Sequence, residues 1–287
     1  MRSRGTVSSA IVLAVVTLLG SGALAQDATP LTRTIAAIAV GNDTAARREA
    51  IVSRVRELGL TADIRPFGEG ARAGSNIVVT LPGREARTIL IGAHYDRVQV
   101  GQGVVDNGAS CAALLELLAA FKASPLGRYT LTFVFFDREE DGLLGSRAWF
   151  AGDTPRPAFA INLDVFAYGN EFFVTASKRD GVLFHALGNA TSAARIPMRD
   201  TTLDRYPGSD HRSMFAAGIE SLGVAIVDTS DIDAVLAIGG SSLAVGKGPR
   251  IMSIIHTPND TMTEVRINDV VRATGVLERT IRALDKE

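Results

Sequence analysis

A three-layer α/β/α sandwich around a mixed, mostly parallel sheet is the fold class this sequence predicts. Three observations carry the prediction. The apolar runs Thr88–Ala93 and Leu131–Phe136 have the length and side-chain content of strands buried on both faces. Segments with helical apolar spacing alternate with strand-like ones along most of the chain, which favours parallel strands with helices on both sides. Acids and histidines gather just past the strand-like runs, and in open α/β sheets chemistry collects beyond the carboxyl ends of the strands.

Composition narrows the class further. Residues 1–25 have the pattern of a secretory signal peptide. Arg2 and Arg4 form a basic start, Val7 to Leu19 an apolar stretch, and Ala23-Leu24-Ala25 a small-x-small cleavage site. The apolar stretch is shorter than the roughly 20 residues of a spanning helix, and no later segment reads as a membrane span. The chain is therefore expected to be secreted or periplasmic, with 26–287 forming one large domain. Thirty Lys and Arg against 31 Asp and Glu, with no basic run, argue against nucleic acid as a partner. The single cysteine, Cys111, cannot form an internal disulfide and lies among Ala and Leu residues as a small buried hydrophobe.

The elements follow in order. Asp43 or Thr44 caps a helix with the stripe Ile51, Val55 and Leu58, ended by Gly59. Strands are expected at Thr61–Pro66 and Asn76–Leu81, with a Gly-rich loop between them. Thr88–Ala93 is a buried strand running into His94. Asn107–Lys122 is a strong helix with Cys111, Leu114, Leu115, Leu118 and Phe121 on one face, and Asp106 begins it. Glu116, flanked by leucines, is placed on a solvated face. Tyr129–Phe136 is the central strand and Gly142–Phe150 is helical. Phe159–Leu163 is a strand ending at Asp164. Glu171–Ala176 and Leu222–Val227 are strands, with helices at Lys178–Thr191 and Ser209–Ala217. Val270, Thr274, Leu277, Ile281 and Leu284 mark the C-terminal helix. The segment from Asp228 to Arg250 receives no assignment.

The acids and histidines at these strand ends are His94 and Asp96, Glu139 and Glu140, and Asp164. Asp106 and His256 join them, the latter in Ile255-His256-Thr257-Pro258-Asn259-Asp260. Singly, each has an ordinary reading. Asp106 could cap a helix, Asp164 close a turn, and the Glu139-Glu140 pair favour a helix start. His185, away from strand ends, is read as structural. Together they form sets of carboxylate and imidazole donors that suit zinc, and a carboxylate with two free oxygens can bridge two ions.

At these residues the chain resembles a known family: the zinc-dependent aminopeptidases of the bacterial leucyl aminopeptidase and aminopeptidase Y type, which also contains the glutaminyl cyclases. The resemblance runs through Gly92-Ala93-His94-Tyr95-Asp96, Val104-Val105-Asp106-Asn107-Gly108-Ala109-Ser110 and Glu139-Glu140-Asp141-Gly142-Leu143-Leu144-Gly145-Ser146. It continues through Asn162-Leu163-Asp164, Ser209-Asp210-His211 and His256-Thr257-Pro258-Asn259-Asp260-Thr261. It implies a zinc-exopeptidase fold, peptide substrates with a free N-terminus and two Zn2+ per chain. His94, Asp106 and Asp164 would hold one ion, and Asp106, Glu140 and His256 the other, with Asp106 bridging. Glu139 would be the general base, and Asp96 would orient His94. Asp210 would act behind these ligands or toward the substrate. The resemblance also implies a cis bond between Asp106 and Asn107.

The chain departs from the family pattern at Ile255, where many members have Tyr, at Arg97 in place of a small Ser, and at Glu220 in place of Pro. A glutaminyl cyclase on the same fold is the first alternative, although cyclases usually lack the Asp106–Ser110 and Glu140–Ser146 forms seen here. A non-catalytic binding ectodomain is the second. The signal-peptide reading makes a direct prediction: N-terminal sequencing of exported protein is expected to begin at Gln26, and an intact Met1 there would contradict it.

Overall fold

The computed structural model describes residues 29–41, 43–238 and 248–286. The leader and its cleavage site lie outside the described residues, as do positions 239–247 of the unassigned segment. In chain order come α1 (Pro30–Ala39), α2 (Thr44–Glu57), β1 (Asp63–Phe67), β2 (Gly74–Leu81), β3 (Thr88–His94), α3 (Ala109–Ala123) and β4 (Thr130–Phe136). Then follow α4 (Leu144–Ala151), β5 (Phe159–Tyr168), β6 (Glu171–Ala176), α5 (Val182–Ala194) and β7 (Met198–Thr201). The chain finishes with α6 (His211–Ala216), β8 (Glu220–Val227), α7 (Thr229–Ile238) and α8 (Ile267–Leu284).

The eight strands form one sheet in the order β1-β2-β4-β3-β5-β8-β6-β7. Pairs β4–β3, β3–β5, β5–β8 and β6–β7 are parallel, while β1–β2, β2–β4 and β8–β6 are antiparallel. The expected mixed sheet is present, with β3 and β5 at its middle and β4 one place to the side. Strand periodicity divides the core. Ile77, Val79, Ile89, Ile91, Phe133 and Phe135 face the larger layer, which holds α1, α2, α3, α5 and α8. Their neighbours Val78, Leu90, Val134 and Phe136 face the smaller layer with Trp149 of α4 and Met214 of α6. Double-sided burial is why the middle strands read as unbroken apolar runs.

Several boundaries differ from expectation. Asp106 does not begin the long helix. Val104–Gly108 forms an irregular turn in which Asp106 has φ −121° and ψ 89°, and α3 starts at Ala109. The cause is Asp260, whose carboxylate accepts the N–H groups of Val104 and Val105 at 2.8 and 2.7 Å and of Asp106 at 3.2 Å. Nor does Asp164 end its strand. It sits within β5 at a bulge, where Asp164 and Val165 together oppose one residue of β8, and Val165 has φ +53°. The run Val104–Ala123 is long and apolar enough to cross a membrane, contrary to expectation, but here it is packed inside the core. For the same reason Glu116 of α3 is half-buried instead of lying on an open face. Elements α1, β7 and α7 have no counterpart in the sequence reading.

One buried charge ties the N-terminal helices to the sheet top. Arg47 of α2 has no exposed surface, and its guanidinium donates to the carbonyls of Tyr95 at 2.6 Å, Gln102 at 3.2 Å and Gly103 at 3.1 Å. Arg47→Met would leave the buried Tyr95 carbonyl without this donor and remove the guanidinium from the Gln102 and Gly103 carbonyls, the latter keeping only the Gly108 N–H. It is expected to lower unfolding stability in urea by about 2–4 kcal/mol; a loss under about 0.5 kcal/mol would show that the guanidinium does not hold this loop.

Candidate metal centre

Parallel register builds the site. In the β3–β4 pair His94 lies beside Phe136, and the Tyr95 N–H donates to the Phe136 carbonyl at 2.9 Å. The loops leaving both strands therefore start side by side. In the β3–β5 pair Gly92 lies beside Asn162, so the same register two residues on brings His94 next to Asp164.

Asp96, Asp106, Glu140 and Asp164 each lie against backbone N–H groups or an imidazole. The Asp96 carboxylate accepts the Glu139 N–H at 3.0 Å and the Glu140 N–H at 3.1 Å, and lies 3.3 Å from His94 Nδ1. It thus fixes the loop carrying both glutamates and one edge of the His94 ring. His94 Nε2 lies 3.1 Å from Asp106 Oδ1 and 3.6 Å from Asp164 Oδ1. His256 Nε2 lies 3.0 Å from Asp106 Oδ2 and 3.2 Å from Glu140 Oε2. Each oxygen of Asp106 thus faces a different histidine. The Asp106–Asn107 peptide bond is cis, as the resemblance implies. Past it, Asn107 Nδ2 donates to the Leu163 carbonyl at 3.0 Å and Asn107 Oδ1 accepts the Val165 N–H at 3.2 Å, pinning both sides of Asp164.

Three residues at or beside the site take left-handed backbone conformations without being glycine. These are Arg138 (φ +56°), Val165 (φ +53°) and His256 (φ +58°). Such conformations cost of order 1–3 kcal/mol each and persist where surrounding contacts impose them. Here each one lies at or next to a side chain aimed into the site.

The ion-free electrostatics show how crowded the carboxylates are. Burial, reinforced by the charges of Asp164, Asp210 and Asp106 and opposed by His94, pushes Glu139 up to about 9. Hydrogen bonds donated by His256 to the Asp106 and Glu140 carboxylates hold it up to about 10. Burial would lower His94, yet Glu139, Asp106, Asp164 and Asp96 outweigh it and keep this imidazole well above its ordinary value. Burial would raise Asp106, but His256 and His94 hold it below the usual carboxylate range.

Does this donor set fit metal ions? His94, Asp106 and Asp164 offer ligand atoms within 4.8 Å of one another, and so do Asp106, Glu140 and His256. The two sets share Asp106, as the resemblance implies. Asp164 Oδ1 and Glu140 Oε1 are buried without a hydrogen-bond partner among the described residues. Buried carboxylates in that state suit cations. The imidazole and carboxylate donors suit zinc or another borderline divalent ion, so the residues fit.

A cavity of about 390 Å3 opens over the centre. Asp106, Glu139, Glu140, Asp164 and His256 line it, with Phe173, Val227 and Ile255 on its apolar side. Asp210 does not line it. This residue is fully buried at the start of α6, where burial pushes its carboxyl to about 7. Its burial away from the cavity argues against a role toward the substrate. His185 is exposed on α5, away from the site. Sequence reasoning missed the supporting roles of Asp260, Asn107 and Arg47. Asp260 and Asn107 stood inside quoted motifs, but their partners are distant in the chain. Arg47 carried no local signal.

The fold and site belong to a class in which loops at the top of an α/β sheet assemble a His/carboxylate centre beneath a cavity. More narrowly, the chain belongs to peptidase family M28, whose model matches residues 76–280. It is 34% identical over 185 residues to the probable lipoprotein aminopeptidase LpqL of Mycobacterium tuberculosis, covering 58% of this chain and 36% of that one. The chain thus spans little more than a third of that relative's length. Among solved structures, the zinc aminopeptidase BSAP from Bacillus subtilis superposes with a TM-score of 0.61 at 20% identity, covering 74% of this chain and 50% of that one. The glutaminyl cyclase of Porphyromonas gingivalis superposes with a TM-score of 0.70 at 17% identity, covering 88% and 96%. These two likenesses establish the fold.

Ion binding should displace protons. With His256 held up to about 10, its ring is protonated at pH 7 in the ion-free protein and must lose that proton to coordinate. Zinc affinity is therefore expected to fall as pH falls. Calorimetric titration with zinc at pH 7, in buffers of different ionisation enthalpy, should show at least one proton released per chain. A binding heat independent of buffer would contradict this.

Proposed function

We propose that this protein is an exported aminopeptidase that uses two zinc ions to hydrolyse the first peptide bond of peptides. The observation that carries the reading is Asp106, which offers one oxygen to each of two overlapping donor sets while Glu139, in neither set, lines the same cavity. The leader pattern of residues 1–25 supports export.

In this reading His94, Asp106 and Asp164 hold one ion, and Asp106, Glu140 and His256 the other. When bound, the ions lower the pKa of water from about 15.7 towards about 7 and polarise the scissile carbonyl. The chain's own groups do the rest. Glu139 takes the proton of the attacking water and returns it to the leaving amine, acting as base and then acid. The substrate's α-ammonium sits among the cavity's carboxylates. Asp96 keeps Glu139 and Glu140 aimed through their backbone N–H groups and orients the His94 ring. Phe173, Ala225, Val227, Val235, Ile251 and Ile255 form an apolar wall. It suits an N-terminal side chain such as leucine, methionine or phenylalanine. That wall favours this reading over glutaminyl cyclisation, whose polar glutamine side chain would find few partners there.

The adjacent glutamates separate the roles. Glu139→Gln keeps the shape and removes proton transfer, so the rate on leucine p-nitroanilide is expected to fall by about 10²–10⁴-fold with zinc content unchanged. Glu140→Ala is expected instead to lower zinc content, with activity partly restored by added metal. Equal, small effects from both would contradict the assignment. Conversion of a glutamine-initiated peptide to pyroglutamate, without hydrolysis of the anilide, would favour the cyclase reading.

A further inference from the structure

The cavity over the centre is lined by two arginines as well as by carboxylates, and the two differ. Arg205 Nη2 donates to the Leu236 carbonyl at 3.1 Å. Arg212 makes no ion pair and no side-chain hydrogen bond among the described residues. Its guanidinium lies against the loop at Gly208, with Arg212 itself exposed. Its Cζ, Nε and Nη1 atoms lie 3.0–3.3 Å from where a Cβ on residue 208 would stand. The backbone there is not in the left-handed region, so a side chain at 208 would meet a constraint of space and not of conformation. A Cβ there would require the arginine head to give by a few tenths of an ångström.

Arg212 also lines an adjoining groove that contains Arg147 and Arg156. Arg147 likewise has no side-chain partner among the described residues, and Arg156 donates to the Ala217 carbonyl. Guanidiniums without counter-charges therefore lie where this groove meets the cavity that holds the carboxylates. That acidity matters to a substrate. With the ions in place, Glu139, which neither donor set uses, and Asp204, which also lines the cavity, would disfavour a carboxylate carried one residue beyond the scissile bond. A bare guanidinium at the rim offsets that repulsion and offers a planar, bidentate match to a carboxylate.

We infer that Arg212 is a specificity residue for a carboxylate on the leaving-group side of the substrate. That carboxylate is either the C-terminus of a dipeptide or an acidic side chain on the second residue. The inference rests on the aminopeptidase reading of the site, with the N-terminal side chain in the apolar part of the cavity and the chain leaving past Arg212. It makes dipeptides with a free C-terminus, or peptides with an acidic second residue, preferred substrates.

Binding tests it independently of turnover. Zinc-loaded Glu139→Gln protein would be titrated calorimetrically with Leu-Gly, Leu-Gly-amide and Leu-Asp-amide. A carboxylate-bearing probe is expected to bind about tenfold tighter than Leu-Gly-amide, and the gap should narrow as ionic strength rises. Tighter binding of Leu-Gly alone identifies the C-terminal carboxylate, and of Leu-Asp-amide the side chain. Adding Arg212→Leu should close the gap, while Arg212→Lys, which keeps a point charge but not the fork, should keep part of it. Equal affinity for all three probes, or a gap that survives Arg212→Leu, overturns the inference. Wild-type hydrolysis of leucine p-nitroanilide separates the two readings: hydrolysis without a gap sinks only this inference, and a gap without hydrolysis sinks only the aminopeptidase assignment.

Discussion

The site depends on one carboxylate held between two imidazoles. Asp106 Oδ1 lies 3.1 Å from His94 Nε2, and Asp106 Oδ2 lies 3.0 Å from His256 Nε2. His94 ends β3, and His256 lies in the loop before α8, so the contact joins distant parts of the chain. It can form only because the backbone of Asp106 is itself captured. Asp260 takes three N–H groups from the turn Val104–Asp106, and Asn107 clasps β5 on either side of Asp164. The bulge at Asp164 and Val165, the open turn before α3 and the left-handed His256 are local departures that serve this one arrangement. Regular structure would have carried the three ligands past one another.

The same contact explains the electrostatics. Burial penalises charged carboxylates and their mutual repulsion adds to it, so the ion-free protein keeps protons. Glu139 is pushed up to about 9 and His256 held up to about 10. Protons occupy places that divalent ions can take with better geometry. Arg47 adds a fixed positive charge beneath the loop without contacting any carboxylate. Its three acceptors are backbone carbonyls, so it stiffens the loop and leaves the acids free for ligands.

How much of this was legible in the sequence follows from burial and range. The strands β3 and β4 read clearly because burial on both faces leaves unbroken apolar runs. The donor residues read clearly because they follow those runs and match a family pattern. The edge strand β7, Met198-Arg199-Asp200-Thr201, is four residues long and mostly polar, so no periodicity marks it. The helix α1 carried readable signals, with Thr29 as its cap, Pro30 in its first turn and Leu31, Ile35 and Ile38 on its buried face, but went unassigned behind the leader. The bulge in β5 and the capture of three N–H groups by Asp260 are tertiary events. Asp260 lies 154 residues from Asp106 along the chain, and no local pattern joins them.

The central claim is that Asp106 bridges two metal ions. Anomalous diffraction at the zinc edge from crystals of zinc-loaded protein tests it most directly. The account predicts two peaks roughly 3.5–4 Å apart, one beside His94 and Asp164 and the other beside Glu140 and His256, with one oxygen of Asp106 on each. A single peak, or two peaks with Asp106 bound to only one of them, would contradict it.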